Sequence, residues 1–384
     1  MSSVPVFVGL DYHQDAVQVC ILNGDGKSLC NRSVPNDVQV IHRLVTQHGT
    51  PQRVAIEACC GAADLAEKLA TDRGLPMQLA HPGYVNRMKR SPDKTDLGDA
   101  QLLADLVRVN YLPCVWLAPQ AIRELRRLVR HRANLVRQRK DTKLRLRGLL
   151  RENRLRCPTA GAWTKAWYGW LHTEAALSTS DRWIVEQLLE QLAFLENQIN
   201  AAVKRLEQAT IDDPWVAKLQ GLYGVGLITA VTLRAEVGRF DRFDTGKQLA
   251  RFCGVTPRNA SSGARQADAG LIKAGNPAVR QVLIELAHRL ICRHHAQWGQ
   301  LAHQMLSRGK PKNVVVAAVA NRWVRWLYHE LKRDAMATGG RDHQAPDHRC
   351  AAVPALPPDP HPPSPLLCAQ DGKGNRNHTT SVHS

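Results

Sequence analysis

The stretch VPVFVGLDYHQDAVQVCILNGDGKSLCNRSV, residues 4–34, decides how the rest of the chain is read. VPVFVGLD and AVQVCILNG are short apolar runs joined by a polar corner. NGDG at 23–26 carries the Asn, Asp and Gly residues of a tight turn, and SLCNRSV completes an antiparallel meander. Asp11 closes the first apolar run. A charged side chain at the end of a buried strand seldom lies fully inside unless it is paired or holds a metal.

Working outward, NDVQVIHRLVTQHG (36–49) reads as a helix with Asn36 or Asp37 as N-cap and Gly49 at its exit. Strand RVAIEA, helix AADLAEKLATDRG, strand MQLAH, a short helix GYVNRMK and the helix in RSPDKTDLGDAQLLADL (90–106) follow. A meander followed by strand-helix alternation is the element order of an α/β ribonuclease H-like (RuvC-like) fold. Fold analogy alone assigns no activity.

Glu57 ends RVAIEA as Asp11 ends the first strand, and in that fold the two strands are neighbours whose ends a later helix crosses. Asp96 and Asp99, three apart, share one face of the opening turn of that helix, about 5–6 Å apart between Cβ atoms. Capping and complementarity to the helix dipole explain acids there, and Asp93 suits the cap. Asp105 is half a turn out of phase. Taken with Asp11 and Glu57, the pair instead makes half of a four-carboxylate nest for Mg²⁺ or Mn²⁺.

The 384 residues predict two or three domains, and 44% hydrophobic with 22% charged residues excludes a wholly disordered chain. Lys and Arg number 52 against 34 acids, a net charge of +18 that calls for a polyanionic partner, nucleic acid first. The N-terminal residues lack the pattern of a signal peptide and no long apolar run occurs, so a cytoplasmic protein with no membrane partner is expected. The ten cysteines contain no C-x-x-C pair and read as reduced thiols.

Residues 121–156 carry a net charge of +11. Leu128, Leu135, Thr142 and Leu149 recur every seventh residue, with Leu125 and Leu146 beside them. A second helix keeps the same alternation from Val185 through Leu188, Leu192, Leu195, Ile199 and Ala202 to Leu206. This is the pattern of a long coiled coil, formed either within one chain or between two. The connector with Trp163, Trp167 and Trp170 reads as the hairpin end. Arg126, Arg127, Arg130, Arg137, Arg139 and Lys143 are the candidate phosphate contacts, since a merely solvated face mixes signs. From 215 to about 333 the chain is helical again. Gly224 and Gly226 there fit either a helix-hairpin-helix turn on phosphate or simple helix packing. Beyond 334 the chain holds eight of its 21 prolines within 346–367, and this tail reads as disordered.

VGLDYHQDAVQVCILNGDG, VAIEACCGA and KTDLGDAQLLADL resemble the N-terminal, RuvC-like domain of the DEDD transposases of the IS one-ten insertion-sequence family. The stretch from LQGLYGVGLITAVTLRAEVG through NASSGARQADAGLIKAGNPAVRQVL resembles their C-terminal transposase domain, so the likeness spans about residues 5–300. The resemblance implies a metal-binding tetrad at Asp11, Glu57, Asp96 and Asp99. It also implies a nucleophilic serine in an S-G pair, which is Ser262 before Gly263, with Ser261 beside it. From the residues alone NASSGA is a surface turn. The implied chemistry is cutting and rejoining of donor and target DNA through a covalent phosphoserine. A noncoding guide RNA encoded by the element, a dimer or tetramer, and association with the nucleoid are implied as well. Arg258, Arg265 and Lys273 flank the serine loop as phosphate contacts. Asp268 departs from the more uniformly basic loop of the family.

The expected layout is a catalytic domain at 1–115, a basic helical coiled-coil region at 116–212, a helical serine-bearing domain at 213–333 and the tail at 334–384. Two other readings compete. An actin-like ATPase or sugar kinase also opens on a VGLD meander, and it requires a second such strand set in the C-terminal half. A non-catalytic nucleic-acid-binding scaffold would leave the acids structural.

Overall fold

The computed structural model describes residues 4–88, 95–158, 161–259, 268–293 and 295–337. In chain order the elements of the first part are β1 (Pro5–Tyr12), β2 (Ala16–Asn23), β3 (Ser28–Pro35), α1 (Val38–His48), β4 (Thr50–Glu57), α2 (Ala62–Thr71), β5 (Met77–Ala80), α3 (Pro82–Met88), α4 (Asp96–Arg108) and β6 (Cys114–Val115). They form a sheet ordered β3-β2-β1-β4-β5-β6. The meander β1-β2-β3 is antiparallel, β4 and β5 run parallel to β1, and β6 closes the edge antiparallel. This mixed sheet with helices fits a ribonuclease H-like α/β fold. Asp37 caps α1, its carboxylate accepting from the amides of Gln39 and Val40.

Successive side chains of a strand alternate between its faces. Val6, Val8 and Leu10 of β1 join Ile41 and Leu44 of α1 and Leu65 and Leu69 of α2 in one core. Phe7 and Gly9 face the other way, toward α4, and so does Ala55 of β4. Helix α4 presses its backbone on the strand: a Cβ on Gly9 would stand 2.0 Å from the Ala100 carbonyl oxygen and 2.5 Å from the Ala104 nitrogen. At its far end Arg108 donates to the Gly24 carbonyl at 3.4 Å, in the β2-β3 turn, which lies beside the start of β1 because Asn23 pairs with Val6. Helix α4 is therefore antiparallel to β1, and Asp96 lies where β1 and β4 end.

Two long helices follow, α5 (Gln120–Glu152) and α7 (Thr179–Ala209), joined through α6 (Lys165–Thr173). Leu125 and Val129 share a core with Leu206, Leu135 packs with Leu195 and Ile199, and Leu146 and Leu150 pack with Val185 and Leu192. Rising numbers on one helix meet falling numbers on the other, so the two lie antiparallel within one chain. Trp167 and Trp170 are buried at the hairpin end.

The remaining elements are α8 (Pro214–Gln220), α9 (Leu227–Val237), α10 (Gly246–Phe252), β7 (Pro257–Asn259), β8 (Asp268–Leu271), α11 (Pro277–Cys292), α12 (Ala296–Ser307) and α13 (Lys312–Ala337). The helices of this part enclose the largest core, to which α5 contributes Leu125 and Val129. Two polar stitches bind it to the rest. Glu236, buried on α9, accepts from Arg130 at 2.9 and 3.0 Å and from Asn276 at 2.9 Å, with Arg126 at 3.7 Å. Trp116, just past β6, packs on Gly238 and under the guanidinium of Arg242, 5.2 Å from its ring centre. Burial pushes Arg242 down to about 10, with the nearby Arg126 charge adding to the shift.

Among the described residues no helix is long and apolar enough to cross a membrane. Among the described residues seven cysteines are free thiols and Cys114 is disulfide-bonded, which corrects the reading of a reduced thiol at Cys114. Helix α13 continues to Ala337, past the expected start of the tail at 334, and residues 338–384 lie outside the described residues.

Two substitutions test these contacts. Gly9→Ala drives a methyl into the α4 backbone and is expected to lower stability by about 1–3 kcal/mol or more, read by urea unfolding. Glu236→Ala removes charged hydrogen bonds between α5, α9 and α11, with an expected loss of about 2–3 kcal/mol in the same measurement.

Candidate metal centre and nucleic-acid face

Asp11 lies one residue before the end of β1, and its side chain is 18% exposed. The parallel register pairs Leu10 with Ile56, so Asp11 and Glu57 are the next residues on adjacent strands. Both are in odd-numbered register with Gly9 and Ala55, on the face that α4 covers. The Cys59 thiol senses the two together: burial pushes it up first, and the carboxylates of Glu57 and Asp11 add to the shift.

Helix α4 begins at Asp96 because Thr95 caps it, its Oγ1 accepting from the Gly98 amide at 3.2 Å. The cap is thus a neutral hydroxyl, and Asp93, the expected cap, lies outside the described residues. Asp96 and Asp99 occupy the first turn without serving as the cap. Asp105 is engaged elsewhere, in an ion pair with Arg108 at 2.6 Å.

His13, which sequence reading passed over, joins the strand acid to the helix acid. Its Nε2 stands 3.4 Å from Asp11 Oδ2 and 3.3 Å from Asp96 Oδ2. The ligand atoms of Asp11, His13 and Asp96 lie within 4.8 Å of one another, close enough to hold one metal ion. The one available signal was its position two residues past Asp11, on the same side of an extended chain. Glu57 follows Ile56 on the strand beside Asp11 and Asp99 lies one turn past Asp96 on α4, and neither belongs to this trio. Two carboxylates and an imidazole offer oxygen and nitrogen ligands that could hold a divalent cation.

The candidate phosphate contacts divide. Arg126 and Arg130 are committed to Glu236, and Arg126 also donates to the Ala235 carbonyl at 3.0 Å. Burial pulls Arg126 below the usual arginine range. Arg127 is 69% exposed with Glu124 at 3.8 Å, and exposed Arg137 contacts Asn134 at 2.9 Å. Arg139 pairs with Glu196 of α7 at 2.6 Å, and the Lys143 ammonium stands 4.7 Å over the Trp163 ring.

Gly224 sits at φ +79°, where its missing Cβ leaves room for Leu286 and Leu290, and its carbonyl accepts from Arg289 at 3.1 Å. Gly226 is the N-cap of α9 and has open space where a Cβ would be. Gly224 therefore does packing work, and Gly226 leaves the α9 amides approachable. Arg258, within β7, and Lys273, two residues past β8, are exposed, and the two strands bracket residues 260–267 in the sequence. Ser261, Ser262 and Arg265 lie outside the described residues. In the C-terminal half the described strands form only the two-stranded β7-β8 sheet, so the strand set required by an actin-like kinase is missing there.

A family model for DEDD transposases matches residues 8–154, and the model described as "Transposase IS116/IS110/IS902 family" matches residues 216–304. A "Probable family 20 transposase" of Pseudomonas aeruginosa is 29% identical over 337 residues, covering 85% of this chain and 97% of that one. The "Transposase for insertion sequence element IS1111A" of Coxiella burnetii is 28% identical over 289 residues, 74% of this chain and 77% of its own. The "Transposase for insertion sequence element IS1328" of Yersinia enterocolitica is 25% identical over 321 residues, 83% and 94% of the two chains. With a metal-competent acidic cluster in the first matched segment and both matched segments in order, this chain belongs to the IS116/IS110/IS902 family of DNA transposases.

Proposed function

We propose that this transposase cuts and rejoins DNA with two devices, a carboxylate nest formed by Asp11, Glu57, Asp96 and Asp99, and a nucleophilic serine, Ser262. The observation that carries the first is the approach of Asp96 to Asp11 through His13, within 3.4 Å on either side. A divalent cation held there, Mg²⁺ or Mn²⁺, supplies Lewis-acid polarisation of a phosphodiester. Asp11 and Asp96 would be its first ligands, with Glu57 and Asp99 completing the set. His13 bridges the two carboxylates in space, its Nε2 3.4 Å from Asp11 and 3.3 Å from Asp96.

Ser262 is the attacking group in this reading. Its oxygen forms a bond to phosphorus as one strand ester bond breaks, and the freed strand end leaves with its hydroxyl. A hydroxyl of the second DNA then attacks the phosphoserine and restores the serine. Arg258, Arg265 and Lys273, which flank the serine in the sequence, would hold the scissile phosphate by charge-assisted hydrogen bonds.

The layout follows the notion of one task per segment: a catalytic domain at 1–115, a basic coiled-coil region at 116–212 and a serine-bearing domain at 213–333, with the tail beyond. Exposed Arg127 and Arg137, with Arg139 and Lys143, provide phosphate contacts along α5, and the Gly224–Gly226 turn adds backbone amides. Arg126 and Arg130 serve chiefly to anchor Glu236. The +11 charge of 121–156 suits extensive phosphate neutralisation and gives a physical role to a second polyanion, an element-encoded guide RNA that pairs with donor and target. Joining two DNAs brings at least two active centres together, which favours a dimer or tetramer acting at the nucleoid.

Three outcomes are expected. Asp11→Asn and Asp96→Asn each lower strand cleavage by about a hundredfold or more while circular dichroism is unchanged. If either variant still cleaves at the wild-type rate with DNA binding retained, the acids are structural and the scaffold reading returns. Donor DNA incubated with protein, Mg²⁺ and the element-encoded RNA gives a covalent protein-DNA adduct that Ser262→Ala abolishes, whereas an adduct in the Ala variant moves the nucleophile to another residue.

A further inference from the structure

The end of the helical hairpin holds a group that strand transfer leaves unused. Trp163 stands just ahead of α6 at φ +73°, a left-handed conformation strained for a bulky side chain. Thr164 holds it there, its hydroxyl donating to the Gly161 carbonyl at 2.9 Å and accepting from the Trp167 amide at 3.2 Å. Trp167 and Trp170 are buried as core residues, yet Trp163 is only half-buried. Its ring touches Trp167 at 4.8 Å between centroids, while Lys143 Nζ lies 4.7 Å from its centre.

Trp163, Lys143 and Arg139 wall two adjoining cavities. The first, of about 260 Å³, is lined also by Lys140 and Arg147 and by no acidic residue. The second, of about 590 Å³, contains Tyr168, His172 and Glu196, the carboxylate that engages Arg139. Lys140, Lys143 and Arg147 recur at helical spacing on one face of α5, so their like charges meet in the acid-free cavity. Such a cluster costs self-repulsion unless an anion neutralises it. An aromatic face beside cations is the pattern that recognises unstacked bases and their phosphates. A duplex keeps its bases stacked inside and cannot present one to this ring.

We propose that Trp163 is the stacking platform for one unpaired nucleotide of a single-stranded nucleic acid. The base lies on the indole in place of the Lys143 ammonium, which turns with Lys140 and Arg147 to the flanking phosphates. The inference rests on the nucleic-acid reading of α5 and names where a single strand, as opposed to a duplex, is held.

The test is fluorescence anisotropy on the full chain with labelled oligouridylate, oligothymidylate and duplex DNA of equal length at fixed salt. Trp163→Ala is expected to weaken single-strand binding about tenfold with duplex binding unchanged, and Trp163→Phe to retain most of it. Lys143→Gln is expected to lower the single-strand salt slope by about one. The tighter of the two single-strand arms identifies RNA or DNA as the source. A 5-iodouracil oligonucleotide should photocrosslink to the peptide that contains Trp163, a readout on wild-type protein that does not depend on how the Ala variant folds. Unchanged single-strand affinity in Trp163→Ala, equal loss for duplex and single strand, or a crosslink only elsewhere overturns the platform. If the wild type binds duplex but the platform test fails, the platform alone falls. Absence of any nucleic-acid binding overturns the platform together with the reading of α5.

Discussion

The contact between Gly9 and the backbone of α4 is the constraint on which the first part of the molecule depends. A side chain at residue 9 would collide with Ala100 and Ala104, and only their near-absence of bulk lets a helix lie directly on a strand. Cys20 and Leu22 of β2 join Ala100 and Ala104 in the same tight layer. The approach fixes depth and direction together. Antiparallel to β1, the helix delivers its N-terminal turn to the strand ends, where the Asp96 carboxylate meets Asp11 across His13. A shallower packing would leave the same residues in the chain and no site.

The long helices carry a comparable economy of roles. Their apolar seam is answered within the chain, which leaves the arginines of α5 to face outward or toward neighbours. One end of that stripe is absorbed by the protein itself, since buried Glu236 needs hydrogen-bonded cations and takes Arg130 and Arg126. Farther along, the arginines and lysines have fewer acidic partners, and the stripe keeps its excess charge there. Position along one helix thus separates cations that hold the fold from cations available to a polyanion.

Much of this was legible in the residues. Period-two apolar runs, the NGDG turn and a cap at Asn36 or Asp37 marked the meander and first helix, and the leucine spacing marked the long helices, because burial on one face imposes those periods. The pairing of α5 with α7 in one chain was not legible, since a heptad seam is the same for either partner. Nor was the fate of Arg126 and Arg130, whose partner Glu236 lies over a hundred residues away and belongs to no local pattern. His13 was missed because a lone histidine in a polar corner carries no spacing signal until the helix that meets it is placed. Thr95, in place of Asp93, takes the cap, and that choice frees the first-turn acids for another use.

The central claim is that the strand and helix carboxylates form one metal-binding centre. The most direct measurement is titration of Mn²⁺ into the purified chain, followed by electron paramagnetic resonance, with Asp11→Asn and Asp96→Asn in parallel. Saturable Mn²⁺ uptake by the wild type, lost in both variants while each stays folded, is the expected result. Equal uptake by all three proteins would contradict it and return Asp11 and Asp96 to the role of structural acids.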